Sequence, residues 1–206
     1  MRGLSGGADL VFVDDALAGK EVAQIVAAAR QAANPPFTVL LAKPETGVVP
    51  FMTDALATKP TRPDEARRLM AAAVAVRLRT RVLVVDDSST MRSIVCKTLA
   101  ATRFPLEVTE ADEGVAALKL AREREFDIVF LDYNMPGLNG LETLSEFKRE
   151  QRRVSVVMIT STRDDELARK ARELGAAFLK KPFFPADIEA VLCGFYGLRA
   201  LTPKRA

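Results

Sequence analysis

From Arg81 onward, short apolar runs alternate with stretches whose apolar residues recur at helical spacing. Arg81-Val82-Leu83-Val84-Val85 is a β-branched run closed by Asp86-Asp87. Ser88-Ser89-Thr90 then offers N-cap hydroxyls to a helix with Met91, Ile94, Val95, Thr98 and Leu99 on one face. Leu106 to Thr109 reads as a second strand, followed by a helix over about 112–124 with Val115, Leu118 and the alanines inward. Phe126 to Leu131 is a third strand ending in Asp132, and Pro136-Gly137-Leu138-Asn139-Gly140 is a turn before a helix carrying Leu141, Leu144 and Phe147. Val154 to Ile159 reads as a strand ending in Thr160-Ser161. A helix over 164–174 stops at Gly175, and Ala177-Phe178-Leu179 is a short strand before Lys180-Lys181-Pro182-Phe183. A last helix runs from about Pro185 to Phe195, and the polar tail beyond Gly197 is expected to fray.

Strands that are nearly uninterrupted apolar runs and alternate with helices specify an α/β fold, a parallel sheet covered on both faces. Right-handed crossovers bring the strand C-termini to one edge, where ligands bind. Asp86, Asp87, Asp132, Thr160 and Lys181 all fall there.

The first part of the chain repeats the later pattern. Asp9-Leu10-Val11-Phe12-Val13-Asp14 reads like Asp127-Ile128-Val129-Phe130-Leu131-Asp132, with Gly19 in the place of Gly137 and an Ala-rich helix over 20–33. Phe37 to Ala42 parallels the fourth strand, and Lys59-Pro60 parallels Lys181-Pro182. A helix from near Asp64 puts Leu69, Met70, Ala73 and Val74 inward. Residues 1–79 thus read as a truncated half-repeat, residues 80–197 as the complete domain and residues 198–206 as a flexible tail. In the half-repeat no acidic pair precedes Asp14, Ala42 replaces Thr160 and Leu56 replaces Phe178. The short span from Ala42 to Lys59 leaves room only for a reduced helix. Its first strand has no neighbour on one side, an edge that invites pairing, so the half-repeat is a candidate homodimerisation or docking element.

Composition narrows the chemistry. Of 206 residues 49% are apolar and 28% charged, as in a globular soluble protein, with no apolar run long enough to span a bilayer and no secretory leader. The cytoplasm is the expected location. Thirty Lys and Arg against 27 Asp and Glu leave +3, too even to point to nucleic acid, and the arginines at 67, 68, 77, 79 and 81 read as solvated surface. Cys96 and Cys193 form no Cys-x-x-Cys pair and read as small packed apolar residues. The chain contains no His, so it is not a phosphohistidine donor and its chemistry runs on carboxylates, hydroxyls and lysines.

Paired carboxylates beside a third suit a hard divalent cation bound through oxygen, above all Mg²⁺. Lys181 across the cleft neutralises a phosphoryl group in transfer, Asp132 is placed as the nucleophile, and the Thr160 hydroxyl reaches a phosphoryl oxygen. Val82 to Arg92 and Asp132 to Gly140 resemble the receiver domains of two-component response regulators, above all the single-domain chemotaxis regulators. The resemblance covers about Arg81 to Gly197.

That resemblance implies a flavodoxin-like five-stranded sheet of order 2-1-3-4-5. It implies that Asp132 takes a phosphoryl group from a histidine kinase or a histidine phosphotransfer protein. Asp87, Asp132 and the Asn134 backbone carbonyl hold Mg²⁺, with Asp86 assisting. Lys181 pairs with the phosphoryl group, and Thr160 and Phe178 form the switch. The chain is then a phosphoacceptor switch and not an enzyme in the usual sense, acting on a downstream protein. Too few residues follow Phe195 for a helix-turn-helix, so no DNA-binding output is expected. A phosphoaspartyl hydrolase places an acid/base Asp two residues after its nucleophile, where this chain has Asn134. A scaffold with a vestigial site is the other alternative.

Overall fold

The computed structural model describes residues 8–43, 53–150, 153–161 and 165–200. Two compact units form, one from the residues up to Leu78 together with those from Glu189 onward, the other from Arg79 to Ile188. Each carries its own parallel sheet.

In the first unit, β1 (Leu10–Asp14), α1 (Gly19–Arg30), β2 (Phe37–Ala42), β3 (Ala55–Thr58) and α2 (Pro63–Ala75) follow in order, with the strands arranged β1-β2-β3. Val11 and Val13 pack with Val22, Ile25 and Val26 of α1 and with Leu40, Ala42 and Leu56. Pro63 opens α2, whose free first-turn position suits a residue without an N–H, and the Glu65 carboxylate accepts from the N–H groups of Thr61 and Arg62 at 2.9 and 3.2 Å.

The second unit contains β4 (Thr80–Val85), α3 (Ser89–Ala100), β5 (Leu106–Ala111), α4 (Gly114–Glu123) and β6 (Ile128–Asp132). It continues with α5 (Gly140–Glu150), β7 (Ser155–Thr160), α6 (Asp165–Glu173), β8 (Ala177–Lys180) and the start of α7 (Pro185–Phe195). Its strand order, β5-β4-β6-β7-β8, is the expected 2-1-3-4-5 flavodoxin-like order. Alternate residues fill both sides. Leu83, Val85, Val129, Leu131, Val156 and Met158 pack with Leu118, Leu144, Phe147 and Leu167. Val82, Val84, Ile128, Phe130 and Val157 are buried as well. Both faces of these strands are covered, which is why the sequence shows runs instead of alternation.

The half-repeat is visible in the ladders. Asp14 stands opposite Leu41 as Asp132 stands opposite Ile159, and Leu40 opposite Leu56 as Met158 opposite Phe178. The Asp15 N–H donates to the Leu41 carbonyl at 3.0 Å, as Tyr133 does to Ile159 at 3.0 Å.

Several local expectations change. Gly19 opens α1 as Gly140 opens α5, so it does not occupy the place of Gly137, whose φ of 77° marks the turn. The buried face of α4 starts at Gly114 and continues through Ala117, Leu118 and Ala121, which leaves Val115 a hundred degrees round and exposed. On α2 the inner line runs through Leu69 and Ala73 to Val76, leaving Met70 and Val74 outside, and Ile94 of α3 is exposed for the same reason. Order also persists past Gly197: Leu198 is buried, and Arg199 exchanges both backbone bonds with Leu56. The reduced helix expected between Ala42 and Lys59, and residues 201–206 of the tail, lie outside the described residues.

Candidate functional site

β4, β6, β7 and β8 end side by side, because parallel crossovers return every strand in the same direction. Asp86 and Asp87 follow β4, Asp132 closes β6, Thr160 closes β7 and Lys181 follows β8. Carboxylate oxygens of Asp86, Asp87 and Asp132 lie within 4.8 Å of one another. Asp86 and Asp132 are buried and Asp87 is exposed. The Lys181 ammonium reaches Asp132 Oδ1 at 2.6 Å and Asp86 Oδ2 at 3.1 Å.

Local backbone holds these groups. The Ser88 N–H donates to Asp86 Oδ1 at 2.9 Å, and Ser88 Oγ accepts from the Met91 N–H at 3.3 Å, capping α3. The Asn134 N–H donates to Asp132 Oδ2 at 2.9 Å. Asn139 and Glu142 form a reciprocal cap on α5, with bonds of 3.0 and 3.1 Å. α5 begins at Gly140 because a Cβ there would lie 2.6 Å from the Asp132 carbonyl oxygen and 2.7 Å from the Tyr133 Cα. Glycine lets the helix start against the Asp132 backbone.

Burial raises the Asp132 carboxyl above its ordinary value; the bond from Lys181 opposes this and the charge of Asp86 adds to it. Burial also works against the Lys181 ammonium, but the bonds and charges of Asp132 and Asp86 together lift it above its ordinary value. Formally, one ammonium faces three carboxylates, a surplus of two negative charges that a divalent cation matches. The donors are all oxygen, and Asp87 leaves the cluster open to solvent, a set that fits Mg²⁺ with water and phosphate oxygens completing its shell.

Thr160 is buried, and its carbonyl accepts from the Lys181 N–H at 2.8 Å. Phe178, half-buried on β8, stands opposite Met158, and the Arg172 guanidinium lies 5.8 Å from the centre of its ring. Asp86, Asp87, Asp132 and Lys181 are therefore brought together in one cluster, whereas Thr160 and Phe178 are placed on the neighbouring strands.

Sequence reasoning gave Arg92 no role. Its Nη1 donates to the carbonyls of Asp86 and Asp87 at 2.7 and 3.4 Å, and its Nε pairs with Glu110 at 3.2 Å. The signal was its place on the first turns of the helix directly after the acidic pair.

The half-repeat keeps part of this geometry. Lys59 pairs with Asp14 at 2.5 Å, but Ala42 stands where Thr160 does. Among the described residues Asp14 belongs to no cluster of three metal-binding groups.

This sheet order with an acidic cluster at its strand ends defines a receiver-type domain. Residues 82–192 match the response regulator receiver domain family, and the chain belongs to that family. It is 35% identical over 115 residues to the chemotaxis protein CheY-3 of Vibrio cholerae, a match covering 54% of this chain and 88% of that protein. It is 34% identical over 128 residues to the response regulator GacA of Pseudomonas aeruginosa, covering 61% of this chain but only 60% of GacA. Among solved structures, CheY4 of Vibrio cholerae is 30% identical, with a TM-score of 0.52, 57% of this chain covered and 99% of that one. A CheX–CheY–BeF3–Mg²⁺ complex from Borrelia burgdorferi is 25% identical, with a TM-score of 0.53, covering 57% of this chain and 89% of that one.

Proposed function

We propose that this protein is a phosphorylation-controlled switch in which Asp132 accepts a phosphoryl group from a histidine kinase or histidine phosphotransfer protein. The observation that carries the reading is the Asp132 carboxylate, held 2.6 Å from Lys181 and within 4.8 Å of the Asp86 and Asp87 carboxylates. Asp87, Asp132 and the Asn134 carbonyl would hold Mg²⁺, with Asp86 assisting. The metal, when bound, neutralises the phosphoryl oxygens.

An Asp132 carboxylate oxygen attacks phosphorus, the donor's P–N bond breaks, and the imidazole leaves with its electron pair, giving an acyl phosphate. Lys181 shifts from carboxylate to phosphoryl oxygen, Thr160 bonds another of those oxygens, and Phe178 turns inward behind it. The output is a changed surface for a downstream protein, and the cytoplasm is its compartment. No helix among the described residues is long and apolar enough to cross a membrane. Asn134, in place of an acid/base Asp, weighs against a phosphoaspartyl hydrolase, and the complete carboxylate and lysine set weighs against a vestigial site.

The test is beryllofluoride, a phosphoryl mimic. Fluorine NMR is expected to show one bound beryllofluoride per chain that requires Mg²⁺ and disappears in Asp132→Asn. Uptake without Mg²⁺, or uptake that survives the substitution, would overturn the assignment.

A further inference from the structure

α4 meets the start of α5 at a glycine. Gly114 is buried and is the first residue of α4, with no positive φ, so conformational freedom does not explain a glycine there. Alanine is the better helix former by about 1 kcal/mol. What alanine lacks is room. A Cβ on Gly114 would collide with Thr143 Oγ1 and come within 3.0 Å of the Leu138 carbonyl oxygen and 3.3 Å of the Leu138 Cβ.

Thr143 cannot easily give way. It is fully buried, and its Oγ1 donates to the Asn139 carbonyl at 2.9 Å, with the Leu138 carbonyl 3.5 Å off. A β-branched side chain on a helix is stiff at χ1, so moving the hydroxyl gives up that bond.

Leu138 and Asn139 belong to the span that carries Asn134. The Gly140 N–H donates to the Tyr133 carbonyl at 3.1 Å and closes residues 133–140 into one loop. Inside it the Asn134 N–H donates to Asp132 Oδ2 at 2.9 Å, and Met135 is buried. A push from α4 has no slack to move into, because Gly140 already lies against the backbone of Asp132 and Tyr133. The displacement passes into the loop instead, toward Asn134.

We infer that Gly114 and Thr143 are positioning residues for the Mg²⁺ site. They seat residues 138–143 against α4 and thereby set where the Asn134 carbonyl and the Asp132 carboxylate stand. Neither touches the metal or the phosphoryl group; both act through the loop. The inference rests on the reading of Asp132 as a phosphoacceptor that works with Mg²⁺.

The test joins Mg²⁺ titration calorimetry, well below the melting temperature, with amide NMR of the metal-free chain. Gly114→Ala is expected to lower Mg²⁺ affinity about tenfold, the scale of loss when groups that orient metal ligands are disturbed. It should also shift the metal-free amide signals of Asn134 and Gly140. Thr143→Val keeps the branched shape but removes the bond to Asn139, and the same two effects are expected. Circular dichroism checks folding, and Thr143→Val carries the test if Gly114→Ala does not fold. Ala121→Gly, two turns along α4, loosens the helix away from the loop and should change neither readout. An unchanged Asn134 signal in either folded variant would overturn the inference, as would an equal loss of affinity in Ala121→Gly. A wild type that binds no Mg²⁺ would instead sink the phosphoacceptor reading, and the metal-free signals would still decide whether Gly114 and Thr143 set the loop.

Discussion

Arg92 anchors the backbone carbonyls of the acidic pair at 2.7 and 3.4 Å while Glu110 holds it from the other side at 3.2 Å. The guanidinium thus fixes where Asp86 and Asp87 point without contributing a ligand. Hydrogen bonds to a charged group are worth about 1.5–3 kcal/mol. Arg92→Ala is therefore expected to weaken Mg²⁺ binding by about tenfold in calorimetry with the fold intact, since each 1.4 kcal/mol is about tenfold. An unchanged affinity would show that Ser88 alone sets the pair. At this scale the carboxylates were legible in the sequence because they punctuate apolar strands. Arg92 was not, because its partners are carbonyl oxygens, which leave no trace in residue type. Cys193 was read as a small packed residue, and it is buried, its thiol pushed up to about 12 by burial first and then by the charges of Glu189 and Asp54.

The strands were legible as elements because burial on both faces demands unbroken apolar runs, and their order followed from resemblance to a known topology. Helix faces were harder. Val115, Met70, Val74 and Ile94 are apolar, yet one residue's offset turns each a hundred degrees away from the core. The start of α2 allows a test of pH dependence. The Glu65 carboxyl is lowered from 4.5 to about 2, by the Thr61 N–H first, then by the Thr61 hydroxyl and the Arg62 side chain. With the folded value below the unfolded one, this stabilisation is fully present above about pH 4.5 and is lost as pH falls toward 2. Thermal melting of wild type and Glu65→Gln should therefore differ most near neutral pH and converge only below about pH 2. A difference that does not change with pH would mean that Glu65 acts by packing alone.

On the scale of the whole chain, the repeat was legible from Asp14, Lys59-Pro60 and the apolar strand between them. The grouping of Glu189 onward with the first unit was not. It depends on contacts far apart in sequence, such as the Leu56–Arg199 bridge, which no local pattern encodes. The two units keep the same strand register and the same Lys–Asp pair, but among the described residues only the second groups its aspartate with two further carboxylates that could hold a metal. Phosphorylation should therefore occur once per chain. The direct measurement is intact mass after incubation with acetyl phosphate and Mg²⁺, for wild type, Asp132→Asn and Asp14→Asn. A gain of one phosphoryl group is expected in wild type and in Asp14→Asn, none in Asp132→Asn, and none in wild type when a chelator removes Mg²⁺. A gain that persists in Asp132→Asn, or one lost in Asp14→Asn, would contradict that expectation.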